Sequence, residues 1–269
     1  MKNRIEKIFE RCRDEKRAAL ILFTCCGYPD MENSERIIQG AIDSGADIIE
    51  LGVPFSDPMA DGMIIQKASQ IALQNGASLK KVLAMAERLR KRNPNTGFIL
   101  FSYFNVLLSY GLEALTDELA RIGVDGILSV DLPYEEKAEL EPLCKQKGLH
   151  LIPLVSPATS PERARLITGQ ASGFVYYIAV RGITGVRTEL PQELIARLEE
   201  MGRISPIPVV AGFGIGDPET ARKIAKHARG IVVGSAGMSL LVQEKPLEER
   251  ISDFKHFVKS LSGSLSPDA

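Results

Sequence analysis

Histidine, cysteine and excess charge are all scarce in this chain, and each shortage removes a class of function. The three histidines, His150, His227 and His256, are scattered without ligand spacing, which argues against a metal site. The four cysteines, Cys12, Cys25, Cys26 and Cys144, contain no CxxC pair, and sequence neighbours rarely bridge each other. Reduced thiols and a cytoplasmic location are therefore expected. No apolar run reaches membrane-spanning length. The run 18–26 follows a long leader of mixed charge, and no small-residue cleavage site precedes Tyr28-Pro29, so it does not read as a secretion signal. With 33 basic residues against 34 acidic, the net charge of −1 disfavours nucleic acid or an anionic membrane as the main partner.

Several chemical motifs are missing as well. There is no Walker A sequence, and the glycine cluster 212–216 lacks the GxGxxG spacing of a dinucleotide fold and comes late in the chain. No GxSxG elbow starts a serine triad. No lysine stands at the C-terminal end of any predicted strand, where a Schiff-base aldolase in a barrel needs one.

What is present is an unbroken alternation of short apolar runs and amphipathic segments. Strands are predicted at 18–24, 47–53, 97–101, 126–130, 149–155, 174–180, 208–211 and 231–233. Each is followed by a helical segment: 35–44 (capped by Asn33 or Ser34), 64–74 with 79–92, 112–122, 135–146, 161–168, 191–201, 218–226 and 247–261. A shorter helix opens at Gly234. An additional N-terminal helix within 1–16 carries Ile5, Ile8, Phe9 and Cys12 on one face. The polar tail 262–269 is expected to fray. Continuous βα alternation implies a parallel sheet, and eight such units in about 250 residues match a single-domain TIM (β/α)8 barrel over residues 1–269.

In such a barrel the active site is built at the C-terminal strand ends. Residues 44–66 form a strand and loop that bring together Glu50, Asp57 and Asp61. Glu50 lies among Ile48, Ile49, Leu51 and Val53, so burying it requires either a partner (a backbone amide or an arginine) or a chemical task. The eleven-residue step to Asp61 lets the loop fold back over the strand end, and two carboxylates facing one cavity suit proton transfer. Tyr103, Asn105, Asp131 and Tyr176 fall at the same rim, with Asp131 favoured as a loop cap. Gly212-Phe-Gly-Ile-Gly216 and Gly234-Ser-Ala-Gly237 follow strands seven and eight, the usual barrel position for a phosphate. Gly182-Ile-Thr-Gly185 reads as a hinge-like loop able to close over the cavity. Metal-free acid–base chemistry on a phosphorylated small molecule is what remains.

The segment Leu51-Gly-Val-Pro-Phe-Ser-Asp-Pro-Met-Ala-Asp-Gly62 closely resembles the signature of the tryptophan synthase alpha chain family. Gly27-Tyr-Pro29, Tyr103-Phe-Asn105, Asp131-Leu-Pro133, Gly182–Gly185, Gly212-Phe-Gly214 and Gly234-Ser235 follow in the order that family shows. The resemblance implies cleavage of indole-3-glycerol phosphate to indole and glyceraldehyde 3-phosphate. It makes Glu50 and Asp61 the catalytic carboxylates. Phe23, Tyr103, Tyr176 and Phe213 would line the indole pocket, and Gly214, Gly234 and Ser235 would hold the phosphate. Thr184, beside Gly185 on the mobile loop, would reach Asp61 on closure. Asp57 would face a beta subunit that carries pyridoxal phosphate, in an α2β2 tetramer, with no cofactor in this chain.

Three positions depart from the family pattern: Met63, Val106 and Tyr134 stand where proline is frequent. Methionine after Gly62 is expected to loosen the loop carrying Asp61, because a pre-set φ is gone. Two other readings stay open on the residues alone. One is a phosphate-binding barrel isomerase or epimerase, which would want a more polar pocket than these aromatics provide. The other is a non-catalytic subunit that activates a partner enzyme.

Overall fold

Each predicted strand is short, rich in branched apolar residues and closed by a turn, so it can satisfy its backbone only by pairing with neighbours of the same kind. The computed structural model describes residues 2–178, 192–212 and 214–266. Nine parallel strand segments are seen among them: β1 Ala19–Cys25, β2 Ile48–Gly52, β3 Gly97–Ser102, β4 Gly126–Ser129, β5 His150–Leu151, β6 Leu154–Val155, β7 Val175–Ile178, β8 Val209–Gly212 and β9 Gly230–Val233. Their order is β5-β4-β3-β2-β1-β9-β8-β7-β6. β5 and β6 are the two halves of the strand predicted at 149–155, broken at Pro153, which has no N–H to give. The amide of Ile152 donates to the Ile127 carbonyl at 2.9 Å, and that of Tyr176 to the Pro153 carbonyl at 3.0 Å. These two bonds carry the ladder across the break and close an eight-stranded TIM barrel.

Strand parity sorts the apolar residues into two cores. Ala19, Ile21, Ile48, Ile99, Leu128, Phe174, Val210 and Val232 point into the barrel. Leu20, Leu22, Ile49, Leu51, Leu100, Ile127 and Ile231 point outward against the helices. The strands are buried on both faces, which is why they read as continuous apolar runs rather than as alternation. The N-terminal helix Arg4–Asp14 is held by a capping box between Asn3 and Glu6. Ile5, Ile8, Phe9 and Cys12 join the inner core, with the Phe9 ring 5.7 Å from that of Phe174. This helix therefore plugs the end of the barrel at which the strands begin.

Helix boundaries differ from the sequence reading in several places, among them the helix predicted at 191–201, which ends at Ile204. The helix predicted from 35 starts at Met31, because Asp30 rather than Asn33 or Ser34 accepts the first free amide. The stretch after Tyr103, read as loop, forms a helix Phe104–Tyr110. The segment predicted as one helix at 135–146 is a 3-10 turn Tyr134–Glu139 followed by a helix Glu141–Lys147 with proline at its start. The last helix, Leu247–Ser264, runs into the tail expected to fray, and Leu265 is buried beyond it. Residues 179–191, including the end of the strand predicted at 174–180 and the Gly182–Gly185 loop, lie outside the described residues.

Candidate active site

Glu50 is the third residue of β2 and shares the inward parity of Ile48, so its carboxyl stands one layer above the inner core. Phe23 of β1 and Ile99 of β3 flank it in register. It is completely buried, and neither carboxyl oxygen has a hydrogen-bond partner among the described residues. Among the described residues no amide or arginine neutralises it. Removal from water pushes its pKa from 4.5 up to about 8, so at neutral pH it holds a proton.

Asp61 comes from the loop after β2. Its amide donates to the Pro58 carbonyl at 3.0 Å, and Gln66 Nε2 donates to its carbonyl at 2.9 Å, which ties the loop to the helix Met63–Gln74. The Tyr103 hydroxyl donates to Asp61 Oδ2 at 3.1 Å and accepts from the Ala60 amide at 3.0 Å. Burial raises the Asp61 pKa, and the tyrosine bond pulls it back down by favouring the ionised form. One buried carboxyl is thus poised to give a proton, and a second is held by a donor that prefers it charged.

The aromatic side chains sit where strand parity places them. Phe23 meets Phe101 edge to face at 4.9 Å, and Tyr103 stacks on Phe55 at 4.9 Å. Tyr176 of β7 feels both carboxylates: burial first, then the charges of Glu50 and Asp61, raise its pKa. Two glycines make room for these rings. A Cβ at Gly52 would lie 2.5 Å from the Phe23 ring, and one at Gly212 would lie 2.2 Å from the Tyr176 ring. Phe55, Phe101 and Gly52 were not picked out as site residues from the sequence, and Gly212 entered only as part of the glycine cluster 212–216. Phe101 and Gly212 share inward parity with Tyr103's strand and Tyr176's neighbour, and that parity is the signal that could have found them.

After β9, Gly234 is the N-cap of the helix Ser235–Leu241 and faces Phe23, with a notional Cβ 3.4 Å from the Phe23 Cβ. Gly214 has φ +32°, a left-handed backbone that suits glycine. Asp57 is exposed and accepts a hydrogen bond from Ser56 Oγ. Asp131 caps rather than reacts: its Oδ1 accepts from the Phe104 amide at 2.7 Å and from Ser129 Oγ at 3.0 Å. Asn105 is exposed on the helix Phe104–Tyr110. Thr184, Gly185 and Phe213 lie outside the described residues.

The three departures from proline have local consequences. Met63 is the first residue of its helix and is 82% exposed. Tyr134 offers its ring to the Lys137 ammonium at 4.2 Å, beside a cavity of about 350 Å³ on the flank of the mouth. Val106 is half-buried within the helix after Tyr103.

Fold and mouth together define a TIM-barrel protein with two carboxyl groups, Glu50 and Asp61, at the C-terminal ends of its strands. The profile of the tryptophan synthase alpha chain family matches residues 9–264. The tryptophan synthase alpha chain of Marinobacter nauticus is 37% identical over 268 residues, covering 98% of this chain and 99% of that one. That of Roseiflexus castenholzii is 40% identical over 261 residues, covering 97% and 100%. The crystal structure of tryptophan synthase subunit alpha from Legionella pneumophila superposes with a TM-score of 0.91 at 32% identity, covering 98% and 99%. A tryptophan synthase structure from M. tuberculosis in an open form gives 0.88 at 31% identity, again covering 98% and 99%. The chain belongs to the tryptophan synthase alpha chain family.

Proposed function

We propose that this chain is a carbon–carbon lyase that splits indole-3-glycerol phosphate into indole and glyceraldehyde 3-phosphate. The observation that carries the reading is Glu50, a buried, protonated carboxyl at the barrel mouth with no hydrogen-bond partner among the described residues. Such a group is costly to keep unless it transfers a proton.

In the proposed reaction Glu50 gives its proton to ring carbon C3, and the ring becomes a cationic indolenine. Asp61, held by Tyr103, accepts the indole N–H and stabilises that positive charge. The Glu50 carboxylate then takes the proton of the glycerol hydroxyl next to C3. The C–C bond breaks, its electron pair restores the aromatic ring, and the hydroxyl carbon becomes the aldehyde. Glu50 ends protonated, as it began. Because the ring acts as its own electron sink, neither lysine nor metal is needed.

Phe23, Tyr103 and Tyr176 suit a flat apolar ring at this position. Gly214, Gly234 and Ser235 are assigned to the phosphate. Thr184, Gly185 and Phe213 enter the proposal from the family resemblance alone. Asp57 is assigned to a beta-subunit interface, supported by its exposure beside Met59 (93% exposed) and Met63. An α2β2 assembly with pyridoxal phosphate in the beta subunit, located in the cytoplasm, completes the reading.

The test is indole release from indole-3-glycerol phosphate by purified protein, with and without a beta subunit, alongside Glu50→Gln. Slow release that the partner accelerates and the substitution abolishes is the expected result. No release in the presence of a functional partner overturns the substrate assignment.

A further inference from the structure

The charge balance of the whole chain hides a local imbalance at the end of the barrel opposite Glu50. A groove there is lined by Arg13, Lys16, Arg17, Arg222, Lys223, Lys226 and Arg229 against a single carboxylate, Glu219. Its volume is about 810 Å³, within the range that holds a small-molecule ligand. Part of this charge is already spoken for. Arg17 is bound to Asp47 at 2.7 Å, Arg13 pairs with Asp14, and Lys223 pairs with Glu219 at 2.7 Å. Lys16, Arg222, Lys226 and Arg229 have no ion pair among the described residues, and all four are exposed.

These four cations come from two stretches of chain that the fold brings together, Lys16 and residues 222–229. Arg222, on the helix Pro218–Ala225, and Lys226, the C-cap of that helix with helical φ and ψ, are about one turn apart, so they share a face. Arg229 immediately precedes β9, and its backbone is locked into the barrel: its amide donates to the Val209 carbonyl at 2.8 Å and its carbonyl accepts from the Ala19 amide at 2.9 Å. Lys16 follows the N-terminal helix with φ +56°, and it is the one non-glycine with positive φ among the described residues. Glycine would adopt that backbone without strain, yet the position carries a lysine that lines the groove. Four unpaired cations on rigid supports around one concavity repel one another until an anion fills it.

We propose that this groove is a second ligand site, specific for an oligophosphate, either free or as the phosphate chain of a nucleotide. Several negative charges a few ångströms apart match four converging cations better than a single phosphate does. No aromatic side chain lines the groove, so it has no platform on which to stack the bases of single-stranded nucleic acid. Recognition therefore rests on charge and on arginine donors.

The experiment is calorimetric titration of the full chain with inorganic tripolyphosphate at low salt. One saturable event is expected, weakening as salt is raised. Arg222→Ala and Arg229→Ala are each expected to weaken it by about tenfold, the loss of one charge-assisted contact. Lys80→Ala, an exposed cation outside the groove, leaves it unchanged, and indole release is unchanged in all three variants. ATP binding with the affinity of tripolyphosphate supports recognition of the phosphate chain, whichever its source. Absence of a saturable event, or equal affinity in the Arg222→Ala/Arg229→Ala double variant, overturns the proposal. So does tighter binding of poly-glutamate, which makes the face a docking surface for acidic protein.

Discussion

Replacing Glu50 by glutamine is expected to change the pH dependence of stability before any substrate is considered. The glutamine keeps the shape of the side chain and removes the ionisation. In the folded chain burial pushes the Glu50 pKa from 4.5 up to about 8. The folded state therefore holds more protons than the unfolded state between those two values, and linkage makes stability fall as pH rises through that window. Between pH 5 and pH 8 the integrated loss is about 3 kcal/mol, with most of it present by pH 7. In the glutamine variant this contribution is absent, while every other titrating group is shared and cancels in the difference. Denaturant midpoints for both chains at unit pH steps, converted with their m-values, measure it directly. The stability of the variant relative to the parent should climb by about 3 kcal/mol from pH 5 to pH 8. A constant offset comes from burying an amide without partners, and only the slope carries the test. Parallel stability curves would refute the reasoning, because they would mean that Glu50 ionises in the fold as easily as in water.

The same protonated group sets an alkaline limb for activity: kcat/KM for indole release should decline as pH passes about 8, and a profile flat to pH 10 would remove Glu50 as the initial acid. Tyr103→Phe removes the donor to Asp61 and the acceptor for the Ala60 amide, so Asp61 becomes harder to ionise. Turnover should fall by about 10–100-fold with a loss of roughly 1–2 kcal/mol in stability, measured by steady-state kinetics and denaturation. Gly212→Ala places a methyl 2.2 Å from the Tyr176 ring, so the ring must leave its position. Destabilisation of about 1–3 kcal/mol and a steep loss of indole release are expected, and normal values for both would show that the ring has room. Met63→Pro is expected to stabilise by about 0.4–1 kcal/mol in thermal or denaturant melts. Met63 is the first helical residue, and Gly62 before it already has the extended φ −80°, ψ 162° that proline demands of its predecessor.

Much of the fold was legible because local rules and global packing agree in this chain. The period of the N-terminal helix, Ile5, Ile8, Phe9 and Cys12, is the face that plugs the barrel. The strand containing Glu50 was readable from its branched apolar residues. Boundaries failed where a side chain outside the periodic pattern decided them. Asp30 captured a helix start, Pro153 split a strand, and Asp131, reaching from another strand end, capped the helix after Tyr103.

The sequence by itself determined the alternation of strands and helices, the family signature around Asp61 and the conspicuous placing of Glu50 in an apolar run. Those are statements about neighbours along the chain, and spacing and composition are enough to make them. Only the tertiary structure decided that Glu50 has no hydrogen-bond partner among the described residues, that Tyr103 holds Asp61, and that Gly52 and Gly212 leave room for two rings. It also decided that Lys16 and the cations of 222–229, two segments distant in sequence, line one groove. Each of these depends on distances between residues far apart in sequence, and a pKa or an ion pair is set by what lies within a few ångströms in space.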